Sequence, residues 1–207
     1  MSNKIWEFTG EAEIHFGITL RRIRAAVEFK LKCGIIIAKG ELGGLIEKES
    51  NLSDNAWVCG NAKVSGNAEV SDNACVCGNA RVSGNAEVYG DACVCGDARV
   101  CGDARVCGNA WVSDNAWVYG DACVCGDARV YGDAKVRSSE DYCVYKNTWS
   151  SFRWFTYTKS NKMWAVGCFY GTGAELIARA YEDGEKSGKC YEAIVKAQEA
   201  IERAMGA

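Results

Sequence analysis

One histidine and thirteen cysteines carry most of the chemical options of this 207-residue chain. Histidine is the side chain whose ordinary pKa lies closest to neutrality, so a mechanism that needs imidazole as general base has only His15 to use. A histidine placed on the surface or packed in a core is commoner than a catalytic one, and no catalytic residue is assigned. The cysteines include Cys75-x-Cys77, Cys93-x-Cys95 and Cys123-x-Cys125, the first two pairs eighteen residues apart. Four thiolates could converge on zinc from the first two pairs. Against that, the spacing is two rather than three, and Cys alternates with Ser and Tyr at the same positions, as small apolar filler would. No metal and no cofactor is expected.

Cations supply a second candidate. Lys63, Arg81 and Arg99 recur at intervals of eighteen, and Trp117 follows at the same interval. Arginine grips phosphate bidentately, and cations stacked this closely repel one another unless an anion lies between them. Pairing with the acidic side chains of a neighbouring subunit is the competing reading. Further along, Arg153 and Arg179 accompany a cluster of aromatics that could stack a base, or simply form a core. Gly171-Thr172-Gly173-Ala174-Glu175 opens a helix whose first N–H groups could cradle phosphate. A capping box of Thr172 with Glu175 would occupy the same groups and is the stronger reading, since no Gly-Lys-Ser/Thr follows. The candidate ligand residues are therefore Lys63, Arg81, Arg99, Trp117, Arg153, Gly171, Thr172 and Arg179.

The elements that must position these residues repeat with a period of six. Val stands at every sixth position from Val58 to Val136, with Ala two residues before each, from Ala56 to Ala134. Ile46 and Leu52 continue the Val phase upstream. Ala-x-Val places two apolar side chains on one face of a short strand. Gly-Asn or Gly-Asp between them is a turn pair that tolerates positive φ, and at Asp54, Asp72 and Asp114 an aspartate stands in for the glycine. Each hexad is thus one strand and one corner. Three corners close a coil of eighteen residues, with coils stacked at ~4.8 Å. The outward residues before Val then form three ladders: Trp57, Cys75, Cys93, Trp111, Arg129; Lys63, Arg81, Arg99, Trp117, Lys135; and Glu69, Glu87, Arg105, Cys123.

Val-x-Gly-Asp-Ala-x resembles the hexapeptide repeat of left-handed parallel β-helix proteins, across about residues 46–137. The position after the aliphatic residue departs from that pattern, being Cys, Ser or Tyr here. The lead-in Lys39-Gly-Glu-Leu-Gly-Gly-Leu-Ile-Glu47 with Asn51-Leu-Ser53 is similar to that of acyltransferase-like or polymer-forming repeat proteins of bacteria and phages. The resemblance implies a homotrimer about an axis along the stack. In the acyltransferases of the family it also implies a histidine between coils as general base, yet residues 46–137 contain no histidine.

The fold expected is mainly β: a left-handed parallel β-helix of about five triangular coils over 46–137, an N-terminal β cap over 1–45, and a small C-terminal α+β domain over 138–207. The cap is read from the alternation of Ile23, Ala25, Val27 and Phe29 with Arg22, Arg24, Glu28 and Lys30. In the last segment, 152–158 and 163–170 read as a hairpin, followed by helices over about 173–183 and 188–204.

Composition limits the partners. With 24 Lys+Arg against 27 Asp+Glu, a nucleic-acid polymer is not indicated. No run approaches the ~18 apolar residues of a membrane span, and the N-terminus lacks an apolar signal core, so a cytoplasmic location with free thiols is expected. The chain has no proline, as a continuous ladder needing every N–H would require. The function expected is non-enzymatic binding of a small anionic ligand, phosphorylated or nucleotide-type, at a cleft between subunits. A scaffold without ligand and an acyltransferase using His15 are the alternatives.

Overall fold

A computed structural model describes residues 4–32, 34–149 and 152–206. Strands β1 (Trp6–His15) and β2 (Ile18–Ala25) form an antiparallel hairpin, β3 (Phe29–Lys30) and β4 (Ile36–Ile37) a small ribbon, and β5 (Leu42–Ile46) opens a parallel β-solenoid. One two-residue strand per hexad follows, from β6 (Trp57–Val58) to β19 (Lys135–Val136). Among the described residues these strands stack in three parallel sheets, one per ladder, giving about five coils. Arg81 lies in register between Lys63 and Arg99, Cys93 between Cys75 and Trp111, and Glu87 between Glu69 and Arg105. Ile46 pairs with Val64 and Leu52 bridges Val70, so the first coil begins where the valine phase first appears.

The core follows from the Ala-x-Val alternation: every Ala from Ala56 to Ala134 and every Val from Val58 to Val136 is buried. The corners need positive φ. At Gly96 (φ 67°) an added Cβ would also lie 2.8 Å from the Asp114 nitrogen one coil on, so both conformation and space select glycine. Asp54, Asp72 and Asp114 adopt φ of 55–59° in its place. A left-handed residue other than glycine costs about 1–2 kcal/mol. Asp72 and Asp114 offset that cost by accepting the N–H of Gly90 (2.9 Å) and Gly132 (3.0 Å) in the next coil. The neighbouring corner residues form ladders of their own. Asn61 donates to Asn79 (3.2 Å) and Asn79 to Asp97 (3.0 Å), where the run stops because a carboxylate only accepts.

Stacked coils leave one edge of each sheet without a partner. At the C-terminal end, side-chain oxygens take the place of the missing coil. The N–H of Arg129 donates to Thr156 Oγ1 (2.8 Å), that of Lys135 to Ser160 Oγ (2.7 Å) and that of Cys123 to Ser139 Oγ (3.3 Å). In the preceding coils the same N–H groups find an alanine carbonyl, as Trp111 finds Ala128 (2.9 Å). Thr156→Val keeps the shape and removes the acceptor. An unsatisfied buried donor costs about 1–3 kcal/mol, so urea unfolding should show a loss of that size, and a change of under a few tenths would deny the hydroxyl this role.

Those hydroxyls come from an antiparallel sheet of β20 (Tyr142–Lys146), β21 (Trp154–Thr158), β22 (Met163–Val166) and β23 (Phe169–Thr172), and from the turns beside it. Helices α1 (Gly173–Glu182) and α2 (Glu185–Met205) cover it, with Phe155, Trp164, Leu176, Tyr191 and Val195 in a core separate from the solenoid's. Two expectations need correction here. The strand expected over 163–170 is broken by Gly167 (φ 60°) into β22 and β23, and β20 joins the sheet, so four strands replace a hairpin. All of β20 before Lys146 is half-buried, which hides the alternation that would reveal a strand. At the other end the run through Phe29 stops at Ala25: Val27 is 47% exposed and Phe29 lies in the separate β3.

Candidate functional site: a basic groove under the N-terminal hairpin

The hairpin of β1 and β2 does more than cover an edge. β2 pairs antiparallel with β5, which extends the sheet that carries the Lys63–Lys135 ladder, so the hairpin's tip leans over that ladder. The tip turns at Phe16 (φ 48°) and Gly17 (φ 80°), and Phe16 is 87% exposed. Glu13 in β1 forms an ion pair with Lys63 and so ties tip to ladder. The Lys63 ammonium beside Glu13 holds its carboxyl below the usual carboxylate range.

Between tip and ladder lies a groove of about 310 Å³. His15, Phe16, Ile18 and Leu20 form one wall, and Lys63, Arg81, Arg99 and Trp117 lie along the other, with Ser65, Ser83 and Cys101 between. Trp117 is fixed from two sides. Its Nε1 donates to Cys101 Sγ (3.1 Å), and its ring lies 4.7 Å from that of Tyr119 at 34°. Among the described residues Lys63 is neutralised by Glu13, whereas no carboxylate forms an ion pair with Arg81 or Arg99. The third ladder behaves differently, since Arg105 and Glu87 pair along it at 3.3 Å. Two guanidinium groups one strand apart at ~4.8 Å, with an aromatic ring next in line, can hold an anion and stack a flat ring beside it.

His15 faces this charge. Desolvation lowers its pKa below the usual histidine value, and the charges of Lys63 and Arg81 lower it further. The imidazole is therefore neutral near pH 7, able to accept a proton. Because the unfolded chain binds the proton more tightly, the folded state loses stability as pH falls through the ordinary histidine range toward the depressed value. As the only histidine in the sequence, His15 gives a single Hε1 resonance in proton NMR. Its titration midpoint should lie below about 6.5, and a midpoint at or above that value would contradict the charge environment described.

Four of the eight residues expected to bind ligand, Lys63, Arg81, Arg99 and Trp117, line the groove. The other four do not. Arg153 and Arg179 border a second cavity of about 450 Å³ between α1, α2 and the C-terminal sheet, and Arg179 pairs with Glu182 at 2.5 Å. Gly171 is buried in β23, and Thr172 caps α1: its N–H donates to Glu175 Oε2 (2.8 Å) and its hydroxyl accepts the Glu175 N–H (3.3 Å). These N–H groups are occupied within the chain. His15 was expected only as the base of the alternative acyltransferase and Phe16, Ile18 and Leu20 not at all, because their distance from the ladder in sequence conceals the hairpin's lean. Two of the three thiol pairs read as filler come together on a different face, where Cys59, Cys75 and Cys77 form one group and Cys77, Cys93 and Cys95 another. Every described cysteine is free.

Residues 74–90, 98–114 and 104–120 match the YdcK beta solenoid repeat. No curated protein matches the chain. Among the described residues, no helix is long and apolar enough to cross a membrane.

Proposed function

We propose that this β-solenoid is of the left-handed, hexapeptide-repeat kind, and that it is a homotrimeric, non-enzymatic protein that binds a small anionic ligand in the groove under its hairpin. A phosphorylated or nucleotide-type molecule is the ligand class. One observation carries the reading: Arg81 and Arg99 are stacked in register, without an acidic partner among the described residues, beside a fixed Trp117. Each element of the groove matches one part of such a ligand. The guanidinium groups suit phosphate oxygens, Trp117 suits a base or sugar face, and the apolar tip of the hairpin shields both from water. The expected cleft between subunits is not needed for this, since hairpin and ladder belong to one chain.

Calorimetry of the full chain against nucleoside mono-, di- and triphosphates and phosphorylated sugars tests the proposal. Binding of at least one with a dependence on salt supports it, and no heat from any of them ends it.

The position of His15 favours a second reading, acyl transfer or hydrolysis with this imidazole as general base. It is neutral near pH 7 and borders the anion site. An acyl-CoA transfer and hydrolysis assay of the wild type and of His15→Ala decides it: turnover that disappears in the variant supports the enzyme, and no turnover in the wild type removes it.

A further inference from the structure

On the face of the solenoid that carries Trp57, Cys75, Cys93 and Trp111, five thiols lie together. Cys75 and Cys93 are strand neighbours in register, and Cys59, Cys77 and Cys95 follow the valines of three successive coils. In each of the triads Cys59–Cys75–Cys77 and Cys77–Cys93–Cys95, the sulfurs all lie within 4.8 Å of one another. Three thiolates at ~2.3 Å from a central ion are about 4.0 Å apart in a trigonal plane. Closing each sulfur–sulfur separation by no more than about 0.8 Å, from 4.8 to 4.0 Å, therefore converts either triad into a coordination shell.

We infer that these triads are a binding site for a soft, thiophilic metal ion, with Cu(I) the best fit, and that Cys77 is shared between two such ions. The ion is chosen by the donors. Thiolate sulfur selects soft ions, and three thiolates complete a shell for Cu(I), whereas Zn(II) in a structural site takes four ligands. The surroundings suit such an ion. All five cysteines are half-buried, which keeps an entry path while excluding much of the water. Trp57, fully buried, closes one end of the row. Trp111 closes the other and donates its Nε1 to Cys95 Sγ (3.1 Å), an outer hydrogen bond of the kind that orients a metal ligand. Coordination replaces each thiol proton, which leaves to solvent.

This cluster lies on a different sheet from the groove, so its test is independent of the proposed anion site. Reduced full-length protein is titrated with Cu(I) without oxygen, in competition with a Cu(I) chelator. Two tightly held ions per chain are expected, one in Cys59→Ser, and at least tenfold weaker binding of both in Cys77→Ser. Serine already occupies the equivalent position in other hexads, at Ser65, Ser71, Ser83 and Ser113, so Cys77→Ser should fold, and circular dichroism checks that it does. Cys168→Ser, an exposed cysteine in the turn between β22 and β23, should bind as the wild type does. A wild type that takes no Cu(I) from the chelator, or a folded Cys77→Ser that binds as tightly as the wild type, overturns the inference.

Discussion

The double variant Arg81→Glu/Arg99→Glu is expected to lose at least about a hundredfold in affinity for whichever phosphorylated ligand the wild type binds. A hydrogen bond to a charged group contributes about 1.5–3 kcal/mol, so two arginines supply roughly 3–6 kcal/mol. Each 1.4 kcal/mol is about tenfold in affinity. Reversal replaces that attraction with two carboxylates facing an anion. The fold should survive, because both side chains are exposed and point away from the Ala–Val core. Calorimetry reads the affinity, and light scattering reads the mass of the particle in the same samples. Loss of ligand from a particle of unchanged mass supports the groove as the binding site. Dissociation into smaller particles would instead make the ladder an assembly surface, as in a scaffold. Unchanged binding would place the ligand elsewhere.

Val100→Asp should have the largest effect on stability. Val100 is completely buried in the middle of the stack, in register with Val82 below and Val118 above. A lone ionised carboxylate there finds no partner, and even a protonated one strands a polar group at a cost of several kcal/mol. Domains of this size are stable by only about 5–15 kcal/mol. A solenoid adds a further weakness, since each coil contacts only its neighbours and a broken one uncouples both sides. Urea titration followed by circular dichroism should show the midpoint collapse or the transition vanish. Val100→Thr, of nearly the same shape, should cost less, because a single hydroxyl carries no charge and strands fewer polar atoms than a carboxyl group. If Val100→Asp unfolds at the wild-type midpoint, the placement of this residue in the core is wrong.

How far these features could be read in advance depended on the distance over which each is decided. The solenoid was legible because its rule is local and repeated. Val every six residues and Ala two before it specify strand, corner and inward face without reference to any distant segment. The register of Arg81 between Lys63 and Arg99 then follows from eighteen residues per coil. Asp54, Asp72 and Asp114 could be seen to replace glycine, but their reason could not. The carboxylates of Asp72 and Asp114 satisfy N–H groups one coil away.

The site divides along the same line. The basic ladder was visible, since its members share a period. Arg153, Arg179, Gly171 and Thr172 were grouped with it by chemistry alone, and they lie around the C-terminal sheet and its helices instead. Nothing periodic connects the hairpin tip to the ladder, so His15 could not be placed at the groove before the pairing of β2 with β5 was known. The hydroxyls of Ser139, Thr156 and Ser160 were equally silent, because a serine or threonine that completes a sheet edge looks like any other.

Local periodicity thus accounts for the coil, its core and the order of side chains on each face. It also accounts for the absent proline and for the nine cysteines at outward positions of the repeat. Contacts between segments far apart in the chain account for the rest: which face gains a roof and how the last coil is closed. The physical reason is that a hexad's conformation is set by its own side chains and the stacked coils beside it, whereas docking of a hairpin or a sheet depends on surface shape and charge, for which no spacing along the chain is a measure.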